Sequence, residues 1–149
     1  MRPPHLRRGS IGLVFFGGAA GAAGRGGLSL AIPNLGEVPA AILIINLAGA
    51  FLLGWLYEAV TRPDSGRPAA GNLKLLLGTG FCGGFTTYSS LATDTALFFL
   101  GGRPGTAVIY PLATVIIGAC ATWAGIAAAA AVTGRGPGHP GGNRQQDAA

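Results

Sequence analysis

Gly80-Phe81-Cys82-Gly83-Gly84-Phe85-Thr86-Thr87-Tyr88-Ser89-Ser90 interrupts an apolar stretch that runs from Leu73 to Leu100 and is long enough to cross a bilayer. Paired glycines and five hydroxyl residues do not belong in an ordinary lipid-facing helix. Gly-Gly breaks regular helix, and broken backbone at membrane depth must be covered by protein or face water. Such breaks are where ion and substrate sites are built. The run predicts a membrane protein whose third span is broken at Gly83-Gly84.

The bulk numbers agree. Of 149 residues, 50% are hydrophobic and 10% are charged. A soluble domain carries about 25% charge, so there is too little here to cover a globular surface. The net charge is +5, but the charges avoid the apolar stretches almost completely. That pattern fits basic loops at a membrane surface, not a nucleic-acid groove. Neither a helix-turn-helix nor an aromatic-basic RNA motif is present, so no nucleic-acid partner is expected. Cys82 and Cys120 are far apart and form no Cys-x-x-Cys, so they read as small apolar fillers. His5 and His139 lie in polar tails, away from any ligand cluster.

Four stretches have the roughly 20 apolar residues that a spanning helix needs. They run from Ile11 to Ile32, Val38 to Val60, Leu73 to Leu100 and Thr106 to Val132. The links carry Pro33, Asn34, Pro63, Asp64, Ser65, Gly66, Gly102, Arg103 and Pro104, which are turn and breaker residues. The expected organisation is a short N-terminal segment (1–10), a helical membrane domain (11–132) and a polar, disordered tail (133–149). Met1 to Ala23 also resembles a signal peptide, but three more spans follow, so cleavage is not needed to explain the chain. Small residues recur at helical spacing: Gly17 and Gly21, Gly49 and Gly54, Gly118 and Gly125. Such faces let helices pack closely in lipid.

An even number of spans puts both termini on one side. Eight basic residues (Arg2, Arg7, Arg8, Arg62, Arg67, Lys74, Arg135, Arg144) then share the terminal side, against two (Arg25, Arg103) opposite. The positive-inside rule places both termini in the cytoplasm.

Asn46 sits in the middle of the second span. A carboxamide in hydrocarbon needs partners. An interhelical hydrogen bond meets that need. So does a pore, where an amide N–H can bind an anion without a permanent charge. After the glycine pair, Thr86, Thr87, Tyr88, Ser89 and Ser90 exceed what back-bonding to the helix requires. Unwound carbonyls there suit a cation, and free N–H groups at a helix start suit an anion. Tyr110 and Thr114 are spaced i, i+4, and Gly118 and Thr122 continue that polar stripe. Charged groups near the spans are few: Arg25, Glu58 and Asp94. The first span holds no early or central carboxylate, which argues against a small proton-coupled multidrug transporter. No nucleophile–base pair or metal cluster supports a membrane enzyme.

Three segments, in order, resemble the Fluc (CrcB) fluoride channels. Gly17-Gly18-Ala19-Ala20-Gly21-Ala22-Ala23-Gly24-Arg25 is similar to that family's GGxxGAxxR. Asn46-Leu47-Ala48-Gly49-Ala50-Phe51-Leu52-Leu53-Gly54 is similar to its NxxGsFxxG, and the Gly80–Ser89 run to its GFxGGfTTFS. The resemblance covers Ile11 to Gly125. It implies an all-α, dual-topology dimer of antiparallel four-helix subunits, with two narrow pores that pass fluoride out of the cell passively. By that resemblance Asn46, Tyr88 and Ser89 belong to a pore. Tyr110 and Thr114 match the polar track of the fourth helix. Backbone oxygens of Gly83 and Thr86 would help hold a structural Na+. Arg25 and Asp94 match further charged family positions. The physics suits fluoride, a small and strongly hydrated ion whose water must be replaced by hydrogen-bond donors and positive ring edges.

The chain also departs from the pattern. Tyr88 stands at the first of two pore phenylalanine positions and Leu91 at the second, and Ile42 stands where a threonine is common. Leu91 has no ring edge to offer, so one pore is expected to be impaired or differently built. The bias of eight basic residues against two does not suit a subunit that inserts both ways. It points instead to a fixed orientation and a heterodimer with a homologous subunit of opposite bias. The remaining alternatives are a non-conducting or single-pore partner subunit and, further off, the multidrug-type transporter.

Overall fold

The computed structural model describes residues 8–34, 38–60 and 68–132. In order these form α1 (Arg8–Ala31), α2 (Ala40–Val60), α3 (Pro68–Leu73), a π-helical segment (Lys74–Cys82), α4 (Gly83–Phe85), α5 (Tyr88–Leu100) and α6 (Pro104–Val132). Without water, backbone N–H and C=O groups must pair within the chain, which makes helix of even the Gly/Ala-rich α1. Three of these helices, at Gly9–Ala31, Ala40–Val60 and Pro104–Val132, are long and apolar enough to cross a membrane. The 21 residues of α2 span roughly 30 Å, the thickness of the hydrocarbon core.

The break in the third apolar stretch is not at Gly83-Gly84. Both glycines are helical, and Gly83 has φ −64° and ψ −36°. The chain leaves the helix at Thr86 (ψ 156°) and stays extended at Thr87 (φ −146°, ψ 116°). Packing explains Gly84: a Cβ there would overlap the Gly18 carbonyl oxygen of α1. That glycine serves close helix contact, and hydroxyl chemistry makes the break. Thr86 Oγ1 donates to the Cys82 carbonyl (2.8 Å), closing the last turn. Thr87 Oγ1 accepts from the Ser90 N–H (3.2 Å), opening α5 as an N-cap. Thr87→Val should therefore lower stability by about 1 kcal/mol, and Thr87→Ser should restore most of it. Denaturation of the purified protein in detergent checks both.

α1 packs on the π segment and α4, α2 on α6, and α5 on α6. The closest approaches are at glycines. A Cβ at Gly17 or Gly21 would overlap backbone oxygens of Leu76 or Phe81. One at Gly54 would overlap the Thr122 oxygen, and one at Gly125 the Phe51 oxygen. The small-residue faces of the sequence are thus packing faces, with Gly118 excepted, where a Cβ would meet nothing within 4 Å. The interior holds two small clusters. Leu91, Phe98, Ala107 and Tyr110 form one, and Ala41, Ile45 and Phe85 the other. Large apolar side chains face outward instead, with Phe15, Phe16 and Trp123 all about 70% exposed (68%, 70% and 73%). Water would not tolerate such a surface, and lipid does. The chain is a multi-pass membrane protein.

The N-terminal residues 1–7, the links at 35–37 and 61–67, and the tail 133–149 lie outside the described residues. So do most of the arginines behind the charge bias: Arg2, Arg7, Arg62, Arg67, Arg135 and Arg144.

Candidate functional site

A cleft of about 550 Å³ opens where α2, the π segment, the Thr86-Thr87 break, α5 and α6 meet. Its position follows from the packing just described. Gly49 on α2 lacks a Cβ, which lets the Thr86 methyl group press into that helix. This brings Asn46, one turn earlier on α2, level with the break.

Asn46 binds the break at two points. Its Nδ2 donates to the Thr87 carbonyl (3.1 Å), and its Oδ1 accepts from the Thr87 N–H (2.8 Å). One amide thus satisfies both backbone groups of the residue that leaves the helix, and it cannot rotate without losing both bonds. An Asn amide carries two N–H donors, so one remains for the cleft. Thr87 is the hub of a wider network, because its Oγ1 also bonds Ser89 Oγ (3.2 Å) and Ser90 Oγ (3.1 Å).

Along α6, Thr114 and Thr122 line the cleft. Each hydroxyl donates to the carbonyl four residues earlier, Thr114 to Tyr110 (2.8 Å) and Thr122 to Gly118 (3.0 Å). An anion entering the cleft meets the remaining Asn46 hydrogen and the hydroxyls of Thr79 and Tyr88, whereas those of Thr114 and Thr122 must first leave their carbonyls. A cation meets oxygens at once.

Gly83, Thr86, Tyr88 and Leu91 also line this cleft. Tyr88 is 82% exposed and stands at the rim, with Ser89 beside it on the exposed side. Leu91 is buried and reaches the cleft from the cluster it shares with Phe98 and Tyr110. Tyr110 is buried too, with its ring edge-on to Phe98 (centroids 5.8 Å apart, 74°), while the Arg103 guanidinium lies over the Phe98 ring at 5.2 Å. Among the described residues, Arg25 Nε, Asp94 Oδ2 and Tyr110 OH are buried atoms without a hydrogen-bond partner. Arg25 lies on α1, the one long helix that contributes nothing to the cleft lining.

Sequence reasoning missed the π segment and the contribution of Gly78, Thr79 and Cys82 to the cleft. Nothing in Lys74–Cys82 distinguishes a π-helix from an α-helix by composition. The role of Thr87 left a partial signal, since threonine is a favoured N-cap residue.

Fold and site together define a class: an all-helical, multi-pass membrane protein with a cleft at a broken helix, lined by an amide and hydroxyls among apolar side chains. Residues 12–126 match the family described as CrcB-like protein, Camphor Resistance (CrcB). The chain belongs to that family. It is 46% identical over 132 residues to Fluoride-specific ion channel FluC 2 of Leifsonia xyli subsp. xyli, covering 87% of this chain and 90% of the relative. It is 45% identical over 105 residues to Fluoride-specific ion channel FluC 2 of Bacillus subtilis (70% of this chain, 76% of the relative). To Fluoride-specific ion channel FluC of Gloeobacter violaceus it is 40% identical over 125 residues, covering 80% and 95%.

Proposed function

We propose that this chain is a subunit of a fluoride-selective channel that lets fluoride leave the cytoplasm passively and so lowers its toxicity. The observation that carries this is the Asn46–Thr87 pairing, which fixes an amide donor beside the cleft in a chain 46% identical to a fluoride-specific channel. A rigid donor replaces part of the hydration shell of a small anion without moving, and an uncharged one lets the ion leave again. Thr114 and Thr122 extend the polar path along α6, and Tyr88 stands at its rim.

The segments from Pro68 to Leu100 serve as a fourth crossing. Their break is tolerated because α1 and α2 cover it and Asn46 satisfies it. The working unit is a dimer with an oppositely oriented subunit in the cell inner membrane, both termini of this chain facing the cytoplasm. The open, partly apolar cleft and the exposed Tyr88 support this, since a partner would close them.

The residues fit a structural Na+. The Thr87 N–H goes to Asn46 Oδ1 and the Ser90 N–H to Thr87 Oγ1, so the helical i+4 donors for Gly83 and Thr86 carbonyls are diverted. Neither the Thr87 nor the Ser90 N–H is therefore spent on these carbonyls. Unclaimed carbonyls of this kind are ligands for a hard cation, and Gly83 and Thr86 would hold it. Bound Na+ would supply a fixed positive potential near the anion path.

Leu91 and the charge bias of eight against two favour a second form of the same reading, a heterodimer with one good pore. The test is fluoride efflux from liposomes containing this chain expressed alone. Fluoride efflux far above chloride efflux is expected once a competent dimer is present. Loss of that selectivity, with or without a homologous partner, would sink the channel reading. A stable, conducting homodimer would sink the heterodimer form.

A further inference from the structure

We infer that Asn46 is a positioning residue for the cation cradle as well as a pore donor. The inference rests on the reading of Gly83 and Thr86 carbonyls as Na+ ligands. In a continuous helix the Thr87 N–H would donate to the Gly83 carbonyl four residues back. Here that N–H is held by Asn46 Oδ1 at 2.8 Å, and the Thr87 carbonyl is held by Asn46 Nδ2 at 3.1 Å. The side chain on α2 therefore sets which way the Thr87 peptide faces, and so whether the Gly83 oxygen is free. The oxygen is available because its donor has been taken. The same residue thus has an acceptor atom facing the cradle and a spare donor facing the anion path. The two sites are coupled through one amide.

The two atoms separate in experiment. Asn46→Leu removes both. Asn46→Asp keeps an oxygen that accepts from the Thr87 N–H and removes the amide donor. Unfolding of the purified full chain in detergent is followed against NaCl, with N-methylglucamine chloride holding ionic strength constant. Wild type gains stability as Na+ rises. Asn46→Leu should shift the Na+ midpoint upward about tenfold, the scale of one competing hydrogen bond. Asn46→Asp should hold Na+ at least as well as wild type, its carboxylate adding attraction for the cation, while losing fluoride flux. A purely structural role would lower stability equally with and without Na+ and leave the midpoint alone. An unshifted midpoint in Asn46→Leu overturns the inference while the channel reading stands. If Asn46→Leu does not fold, an upward shift of the midpoint in Asn46→Asp overturns it. Absence of any Na+ effect in wild type overturns the cation reading and this inference with it, whereas loss of fluoride selectivity in liposomes bears on the channel reading alone.

Discussion

Asn46→Ala is expected to abolish fluoride efflux from liposomes and to destabilise the protein in the same step. The substitution leaves the Thr87 N–H and C=O without partners at a position only 8% exposed. Each buried, unpaired backbone group costs roughly 1–3 kcal/mol. Part of this returns if the Thr87 N–H falls back on the Gly83 carbonyl, but then the segment straightens and the break is lost. Removing the donor should lower flux by at least about 100-fold, the scale on which loss of one rigidly held donor to an anion is felt. Flux is read with a fluoride electrode, and stability from the denaturant midpoint. Wild-type flux in a folded Asn46→Ala protein would remove Asn46 from the pore.

Gly125→Val should have the largest effect on folding. A Cβ at Gly125 would overlap the Phe51 carbonyl oxygen and lie 2.9 Å from the Trp55 N. Gly54 mirrors it across the same crossing, where a Cβ would lie 3.0 Å from the Thr122 carbonyl carbon. These neighbours are backbone, so no rotamer change relieves the clash. α2 and α6 must move apart, and overpacking of this kind costs typically 1–3 kcal/mol and occasionally more. Separation of α2 from α6 also opens one wall of the cleft. The expected result is aggregation on size exclusion, or a folded minority without flux. Gly118→Ala on the same helix is the control. Nothing lies within 4 Å of its Cβ, so it should fold as wild type.

Much of this was legible in the residues. Hydrophobic length gave α1, α2 and α6 to within a few positions, because a bilayer requires about 20 apolar residues per crossing and nothing else in the chain competes with that demand. Asn46 stood out for the same reason, as an amide where hydrocarbon was expected. The stripe of Thr114, Gly118 and Thr122 on α6 was readable from its spacing. The break was not. Gly83-Gly84 looked like the helix breaker because glycine disfavours helix in water. In lipid, backbone pairing holds glycine in the helix, and Gly84 is needed for contact with Gly18.

Sequence by itself thus determined the membrane class, the long helices, the position of the amide and the hydroxyl run that ends the third helix. These follow from composition and period, which act locally. Tertiary structure decided where the break falls and which atoms it frees. Those depend on Asn46, 41 residues before Thr87, reaching its N–H before the Gly83 carbonyl does. No local pattern encodes a competition between an i+4 carbonyl and a side chain on another helix. Only the crossing of α2 at Gly49, which seats Thr86, resolves it.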